Sequence, residues 1–510
     1  MEPIRFEDWI RWSGTFSRLP RVVAYPGQKL PESWLNFWDE GPTLLLESGK
    51  DGRYTILAIR IKEIITGSET EGRVNAVSPD GTLELSERRP GRPLDVIRAW
   101  LARNPGPSIA GYPPCCGGLA GMFSYDLVRT LERLPETARA DIDIPLYALA
   151  VFSEGCIYDH REAILYSVAW DRREAGSPET DADHAALKAA FDRCGKTAES
   201  NAAAWIEAAN APSPTPGLAA PPPTPSVAPP AFSLDRGEFI GAVKRIQEYI
   251  AAGDTYQVNL SLRETRPLSI PAESVYEALR RINPSPYMGL LRFPGFTLVS
   301  GSPELLVRLH GDRLEARPIA GTRPRDQESH RDHELAVELM AHPKERAEHL
   351  MLVDLIRNDL GRVSRYGTVK VRDFMVLEDY SHVRHIVSHI EGRLTEGRDA
   401  LDVIAATFPG GTITGAPKVR TMEIIEEFEP VRRGPYTGSI GWIGFAGDME
   451  LNIVIRTLVA EHGRAHVQAG AGIVADSVPE KEYEESLNKA KALWVAVEHA
   501  EAAAQTRTAQ

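Results

Sequence analysis

The chain has 510 residues, with 58 Lys+Arg against 71 Asp+Glu, for a formal charge of −13. At 43% hydrophobic and 25% charged residues it has the composition of a globular protein of about two to four domains, which excludes global disorder. The acidic balance leaves no polybasic footprint and argues against nucleic acid as a partner, so an anionic ligand would have to meet local cations, backbone N–H groups or a metal.

The first elements follow in chain order. Short apolar runs between turn signals predict strands at 43–47, 54–59, 118–125, 148–152 and 163–169, and helices at 31–38 and 93–103. The four Cys, two of them adjacent at 115 and 116, form neither a disulfide framework nor a zinc spacing, which predicts a reducing, cytoplasmic setting. The opening MEPIRFEDWIRW predicts no secretory leader, and the lack of a long apolar run predicts no membrane span. An Ala-rich stretch at 185–209 predicts a helix, and then 212–230 carries nine prolines in nineteen positions. Proline fixes φ and donates no hydrogen bond, so this run predicts an extended linker. The expected organisation is therefore 1–210, a linker at 211–231, and a second region at 232–500.

The second region opens with Ser233-Leu234-Asp235 ahead of Phe239, Val243, Ile246 and Ile250, a capped amphipathic helix ended by Gly253. Strands are predicted at 256–262, 287–293, 297–302, 305–310, 369–374, 383–391, 438–445, 449–461 and 466–473. Helices are predicted at 332–355, 400–407, 418–427 and 480–500. Strands and helices do not alternate strictly, which favours an α+β fold with large antiparallel sheets over a doubly wound parallel sheet.

Several segments could carry chemistry. Glu345 and Glu348 are three apart on one predicted helix, and Glu482 and Glu485 on another, so each pair shares a helix face. Each pair reads either as a solvated face or, if the two meet, as an oxygen site for a hard dication such as Mg²⁺. The string TFPGGTITGAPK (407–418) is either a glycine-rich approach to a ligand or a turn before a helix, and it is not a Walker loop, because Ala416-Pro417 precedes the Lys. In QAGAGIVADS (468–477) the dinucleotide pattern lacks the helix it should open. Gly470 and Gly472 then offer N–H groups to a carboxylate or simply bend a strand. His382, His385 and His389 lie in one run, where His385 on an apolar strand is either a core residue or a group that orients a ligand. DLIRNDLGRV (354–363) reads as a buried salt-bridge network. Arg456, inside an apolar run, requires an anionic partner, either a ligand carboxylate or a structural Glu.

Together these strings resemble the chorismate-utilising family, component I of anthranilate synthase and of aminodeoxychorismate synthase. The strings are AGDTYQVNLS (252–261), SPELLV (302–307), ARPIAGTRPR (316–325), KERAEHLMLVDLIRNDLGRV (344–363), HIVS (385–388), FPGGTITGAPKVRTMEIIEEFEP (408–430), YTGSIGW (436–442), IVIRT (453–457) and QAGAGIVADSVPEKEYEESLNKA (468–490). LLLESGKDGRYTI (44–56) and GGLAGMFSYDLVR (117–129) extend the resemblance to the first region. It implies a two-layer sandwich of large, mainly antiparallel sheets, with helices outside and the site between the sheets. It implies Mg²⁺ at Glu348 and Glu485, with Glu345 and Glu482 reaching it directly or through water. Arg456, Tyr436, Lys489 and the Gly470–Gly472 backbone would hold the enolpyruvyl carboxylate of chorismate, with Thr412 and His385 along the ring. Glu304 matches a general acid, and Gln257 stands where water-adding relatives carry a Lys base, which suits ammonia as the nucleophile. Ser48 matches the family's tryptophan pocket. A separate glutamine amidotransferase subunit would supply ammonia, because none of the four Cys sits in a nucleophile elbow.

YQVNLS, FPGGTITGAPK and YTGSIGW look like the aminodeoxychorismate branch, in p-aminobenzoate and folate biosynthesis. Ala320 dissents, standing where many of that branch carry a nucleophilic Lys. The alternatives are anthranilate synthase component I and a non-catalytic assembly subunit.

Overall fold

Thr43–Glu47 shows how the fold is assembled. Successive side chains on a strand point to opposite faces, and here both faces are buried. Leu44 enters a core with Ile64, Ala120 and Val168, whereas Leu45 enters another with Val275, Leu493 and Trp494. A strand covered on both sides reads as a continuous apolar run, as TLLLE does.

The computed structural model describes residues 2–37, 41–50, 52–78, 80–211, 229–325, 328–379 and 383–508. Among them lie two sheets of 12 strands each. The first runs in space through Arg18–Pro26, Ile164–Arg172, Glu154–Asp159, Tyr54–Ala58, Thr43–Glu47, Tyr287–Phe293, Phe296–Ser302, Thr457–Glu461, Arg464–Ile473, Gln257–Pro267 and Ala231–Phe232, with Gly415–Ala416 also on Gln257–Pro267. The second runs through Ile319–Pro324, Val383–Arg393, Arg313–Ala316, Leu305–His310, Met449–Asn452, Ser439–Gly444, Gly118–Phe123, Tyr147–Phe152, Glu63–Gly67, Glu71–Val77 and Leu83–Pro90, with Lys370–Asp379 on Val383–Arg393. The ladders are antiparallel.

Leu44, Ile56 and Val168 of the first sheet share a core with Ala120, Ala148 and Ile440 of the second, so the sheets face each other. Helices Asp181–Asn210, Ala272–Ile282 and Pro479–Thr508 cover the outer face of the first sheet through Trp205, Val275 and Leu493. Helices Pro93–Arg103, Pro343–Gly361 and Ala400–Thr407 cover that of the second through Ile97, Val353 and Leu401. This is the expected α+β sandwich with helices outside. No described helix is long and apolar enough to cross a membrane.

The proline-rich run marks a boundary in sequence but not in the core. Thr43–Glu47 pairs with Tyr287–Phe293, and Gly118–Phe123 pairs with Ser439–Gly444, so chain from both sides of 211–231 builds both sheets. Residues 212–228 lie outside the described residues.

Three elements differ from expectation. The helix expected at 332–355 is two, Ser329–Ala341 and Pro343–Gly361, broken where Pro343 has no N–H to continue the ladder. The strand expected at 449–461 is also two, Met449–Asn452 in one sheet and Thr457–Glu461 in the other, joined by a crossing with Arg456 at φ 50°. Of the helix expected at 31–38, the described residues 31–37 form a single 3₁₀ turn, Leu35–Phe37. The helix Arg236–Ala252 begins as expected, with a capping box between Asp235 and Glu238.

Arg433 ties the segment after helix Lys418–Phe428 to the first sheet. Its guanidinium donates to Glu429 at 2.7 and 2.9 Å, to the Asn259 carbonyl at 2.7 Å and to the Ile413 carbonyl at 3.0 Å. Both side chains of the pair are nearly inaccessible. Arg433→Met would strand the Glu429 carboxylate, and the expected loss is about 3–5 kcal/mol, read from the denaturant midpoint.

Candidate active site

Two passages from one sheet to the other run side by side. Glu304 lies between strands Phe296–Ser302 and Leu305–His310, and Arg456 lies between Met449–Asn452 and Thr457–Glu461. They are laced together: Ile453 N donates to Glu304 O at 3.0 Å, Gly301 N to Arg456 O at 3.0 Å, and Ser302 Oγ to Ile453 O at 2.5 Å. This lacing brings an acid and a cation to one place.

Glu304 is 7% exposed. Burial pushes its carboxyl up to about 7, and the nearby Thr412 hydroxyl, Arg456 and Lys489 pull the other way. Burial lowers Arg456, which Glu304 partly offsets. The carboxyl of Glu304 acts on Arg456 only through charge, and the guanidinium also lines the cleft, where a ligand carboxylate could meet it.

Arg456 lines a cleft of about 1230 Å³. Helix Pro343–Gly361 contributes Glu345 and Glu348 to its wall, and helix Pro479–Thr508 contributes Glu482, Glu485 and Lys489. Gln257 and Thr412 line it too, as does Gly472. All four glutamates thus line one cleft, Glu345, Glu348 and Glu482 partly buried and Glu485 half exposed at its mouth. Burial raises Glu348, with Glu345 adding to it, and burial raises Glu482, with Glu485 adding. The chain's own donors meet all four: Arg323 pairs with Glu345 at 3.2 Å, Gln257 Nε2 donates to Glu348 Oε1 at 3.1 Å, Lys489 pairs with Glu485 at 2.8 Å, and the Ser477 side chain approaches Glu482.

An all-carboxylate donor set on two facing helices suits a hard dication, and the mutual repulsion within each pair is what such an ion would relieve. No three described His, Cys, Asp or Glu side chains are gathered tightly enough to be a ready-made cage. The donor chemistry fits Mg²⁺.

The remaining expected residues are distributed around this cleft. His385 Nδ1 meets the carbonyl of Gly321 at 3.0 Å, and Gly321 lines the cleft. A carbonyl only accepts, so Nδ1 carries the proton, and burial lowers this imidazole. Gly470 is buried beneath Lys489, whose Nζ donates to its carbonyl at 3.0 Å. Gly470 and Gly472 belong to strand Arg464–Ile473 and open no helix, as the failed dinucleotide pattern predicts. Tyr436 lies elsewhere, in a hollow of about 10 Å³ with its ring 5.5 Å from the Arg433 guanidinium. Ser48 lines a second cavity of about 920 Å³, with Tyr54, Tyr112, Tyr166 and Trp442. Of the expected network at 354–363, Asp359 pairs with Lys418 of the glycine-rich string at 2.6 Å, whereas Asp354 and Arg357 form an exposed pair. His389 stands 3.8 Å from Asp373, and His382 lies outside the described residues.

Lys344, Arg323 and Asn259 also line the cleft and were not anticipated. Asn259 had a signal. Gln257, Asn259 and Ser261 alternate with Val258, Leu260 and Leu262, and all six are buried. Gln257 and Asn259 on the polar face of this strand turn to the cleft, while Ser261 bonds Glu429, where alternation alone suggests solvent.

Gly472 is needed for space. A Cβ there would come 2.2 Å from Gln257 Nε2. Gly472→Ala would displace the amide from Glu348, and turnover is expected to fall on the order of 10²-fold with little change in Tm, as measured by steady-state rates and thermal unfolding.

The sequence profile of the chorismate binding enzymes matches residues 42–494. The chain is 45% identical over 458 residues to aminodeoxychorismate synthase component 1 of Bacillus subtilis strain 168, covering 90% of this chain and 92% of the relative. It is 42% identical over 475 residues to anthranilate synthase component 1 of Thermus thermophilus, covering 92% and 95%. The crystal structure of anthranilate synthase component I from Streptococcus pneumoniae TIGR4 matches with a TM-score of 0.69 at 30% identity, over 87% of this chain and 92% of that one. The profile takes in strands of both sheets and both glutamate-bearing helices, and the chain belongs to the chorismate binding enzyme family.

Proposed function

We propose that this chain is component I of an aminodeoxychorismate synthase, which converts chorismate and ammonia to 4-amino-4-deoxychorismate in the cytoplasm. One observation carries the reading: a buried acid held near neutrality, Glu304, stands behind Thr412 and Arg456, which line a cleft walled by four carboxylates. That arrangement suits a dianion that must lose a hydroxyl.

In this reading Arg456 and Lys489 meet the enolpyruvyl carboxylate beside the Gly470–Gly472 backbone, while Thr412 and His385 flank the ring. Tyr436 acts through Arg433 instead of touching the ligand. Glu348 and Glu485 would hold Mg²⁺, with Glu345 and Glu482 directly or through water, and the ion would supply positive charge against the ring carboxylate. Glu304 gives its proton to the departing ring oxygen, which leaves as water with the C–O electron pair. The ammonia lone pair forms the C–N bond, and the resulting ammonium returns a proton to Glu304. Gln257 is neutral and does not activate water.

A separate glutamine amidotransferase subunit is the proposed ammonia source. The relatives' designation as component 1 supports it. So do the four Cys, all buried and unpaired, with their thiols pushed up by burial and none poised as a thiolate. The second cavity, with Ser48, is the proposed tryptophan pocket.

Anthranilate synthase component I is the second reading, favoured by Ala320. This residue pairs with Ile386 next to cleft-lining Gly321, and its methyl offers no nucleophile for a covalent adduct. The products separate the two. Purified chain, chorismate, Mg²⁺ and ammonium salt are expected to yield a product that 4-amino-4-deoxychorismate lyase converts to p-aminobenzoate. Fluorescent anthranilate with pyruvate release would overturn the first reading in favour of the second.

A further inference from the structure

Two buried amide oxygens on the cleft wall, Gln257 Oε1 and Asn259 Oδ1, have no hydrogen-bond partner among the described residues, and a third buried oxygen, Thr412 Oγ1, has no neighbour of that kind except the Glu304 carboxyl. Buried polar atoms are rarely left unpaired, because each one then forfeits its bonds to water. Three such acceptors in one cavity point to a ligand with several hydrogens to donate.

Their orientation follows from their neighbours. Gln257 is 4% exposed, and its Nε2 is committed to the Glu348 carboxylate, which can only accept. Its oxygen is therefore the open end of the amide. Asn259 is 9% exposed and lies two residues on, on the same face of the strand. Opposite both amides stand glycines. A Cβ on Gly472 would meet Gln257 Nε2 at 2.2 Å, and one on Gly470 would meet Asn259 Oδ1 at 2.9 Å. The glycines keep both amides in place without crowding the space before them. Thr412 comes from a different element, the turn Gly411–Ile413, and sits beside Glu304.

We propose that Gln257, Asn259 and Thr412 form the subsite for ammonia, with Asn259 as a specificity-determining residue. The inference rests on the reading above that ammonia is the second substrate. Ammonia has three N–H bonds and one lone pair. Three acceptor oxygens take the N–H bonds and leave the lone pair to face the ring. Water has only two O–H bonds, so with the Thr412 proton directed at Glu304 it satisfies two of the three acceptors and leaves one orphaned. The subsite thus selects the nucleophile by counting hydrogens, with no base.

The test is steady-state kinetics of the full chain with chorismate, Mg²⁺ and varied ammonium salt. Asn259→Leu removes an acceptor at nearly constant volume. It is expected to raise the apparent KM for ammonia about tenfold and to leave the chorismate KM within about twofold. Asn259→Ala, free of overpacking, is expected to act in the same direction. Asn259→Asp keeps an oxygen in place and is expected to hold the ammonia KM within about threefold of the parent, a rescue that a purely structural role would not show. An unchanged ammonia KM in the Leu and Ala variants, or equal rises for both substrates, would overturn the subsite while leaving the proposed function standing. Absence of any ammonia-dependent turnover by the unmodified chain would overturn the parent reading and the subsite with it.

Discussion

Glu304→Gln is expected to lower kcat by about 10³-fold while leaving the chorismate KM nearly unchanged, because it removes a transferable proton and keeps shape and hydrogen bonding. The carboxyl is held up to about 7 by burial, so the proton-bearing form dominates below that pH and falls about tenfold per unit above it. The parent enzyme should therefore lose kcat as pH rises through about 7, and the variant should lack that limb. Stability follows the same sign. A carboxyl raised from 4.5 contributes stability that is fully present below its unfolded value and is lost as pH rises through about 7. The Gln variant never ionises, so its Tm should match the parent in acid and exceed it at pH above about 7. A pH–rate profile unaltered by the substitution would remove Glu304 from the chemistry.

Glu348→Gln is the second large effect. It halves the charge of one carboxylate pair and removes a ligand on which the Mg²⁺ reading depends. Turnover is expected to fall about 10³-fold, with the Mg²⁺ concentration for half-maximal rate shifted upward. Burial and Glu345 both raise the Glu348 carboxyl, so neutralising it relieves a strained pair, and the metal-free Tm should stay level or rise. Activity that falls while folding improves is the signature of a functional carboxylate. Equal Mg²⁺ titration curves for parent and variant would instead return the four glutamates to a solvated role.

Most of the architecture was legible because strands covered on both faces leave continuous apolar runs, as in TLLLE and at 287–293. The carboxylate pairs were legible from their spacing alone, since residues three apart share a helix face. What sequence could not supply was the meeting of the two helices, whose glutamates are 134 or more residues apart. The crossing at 453–456 was misread because Ile453, Val454 and Ile455 are as apolar as a strand, yet they carry the chain from one sheet to the other. The break at Pro343 had a visible signal, and the periodic residues on either side hid it. Tyr436 and Arg433 show the limit of motif reading. The Tyr436 string, 436–442, resembles the family, but in space the ring lies against the Arg433 guanidinium and not among the residues of the cleft wall.

The interleaving of early and late strands has a consequence for biosynthesis. Gly118–Phe123 is buried along its whole length, yet one of its neighbours is Ser439–Gly444. As the chain emerges from the ribosome, this apolar edge waits for more than 300 further residues, on the order of tens of seconds at ordinary elongation rates. During that interval it offers unpaired N–H and C=O groups to any other nascent chain. Yield in a heterologous host should therefore depend on chaperone capacity and on translation speed through the last third of the message, more than on the equilibrium stability of the finished enzyme.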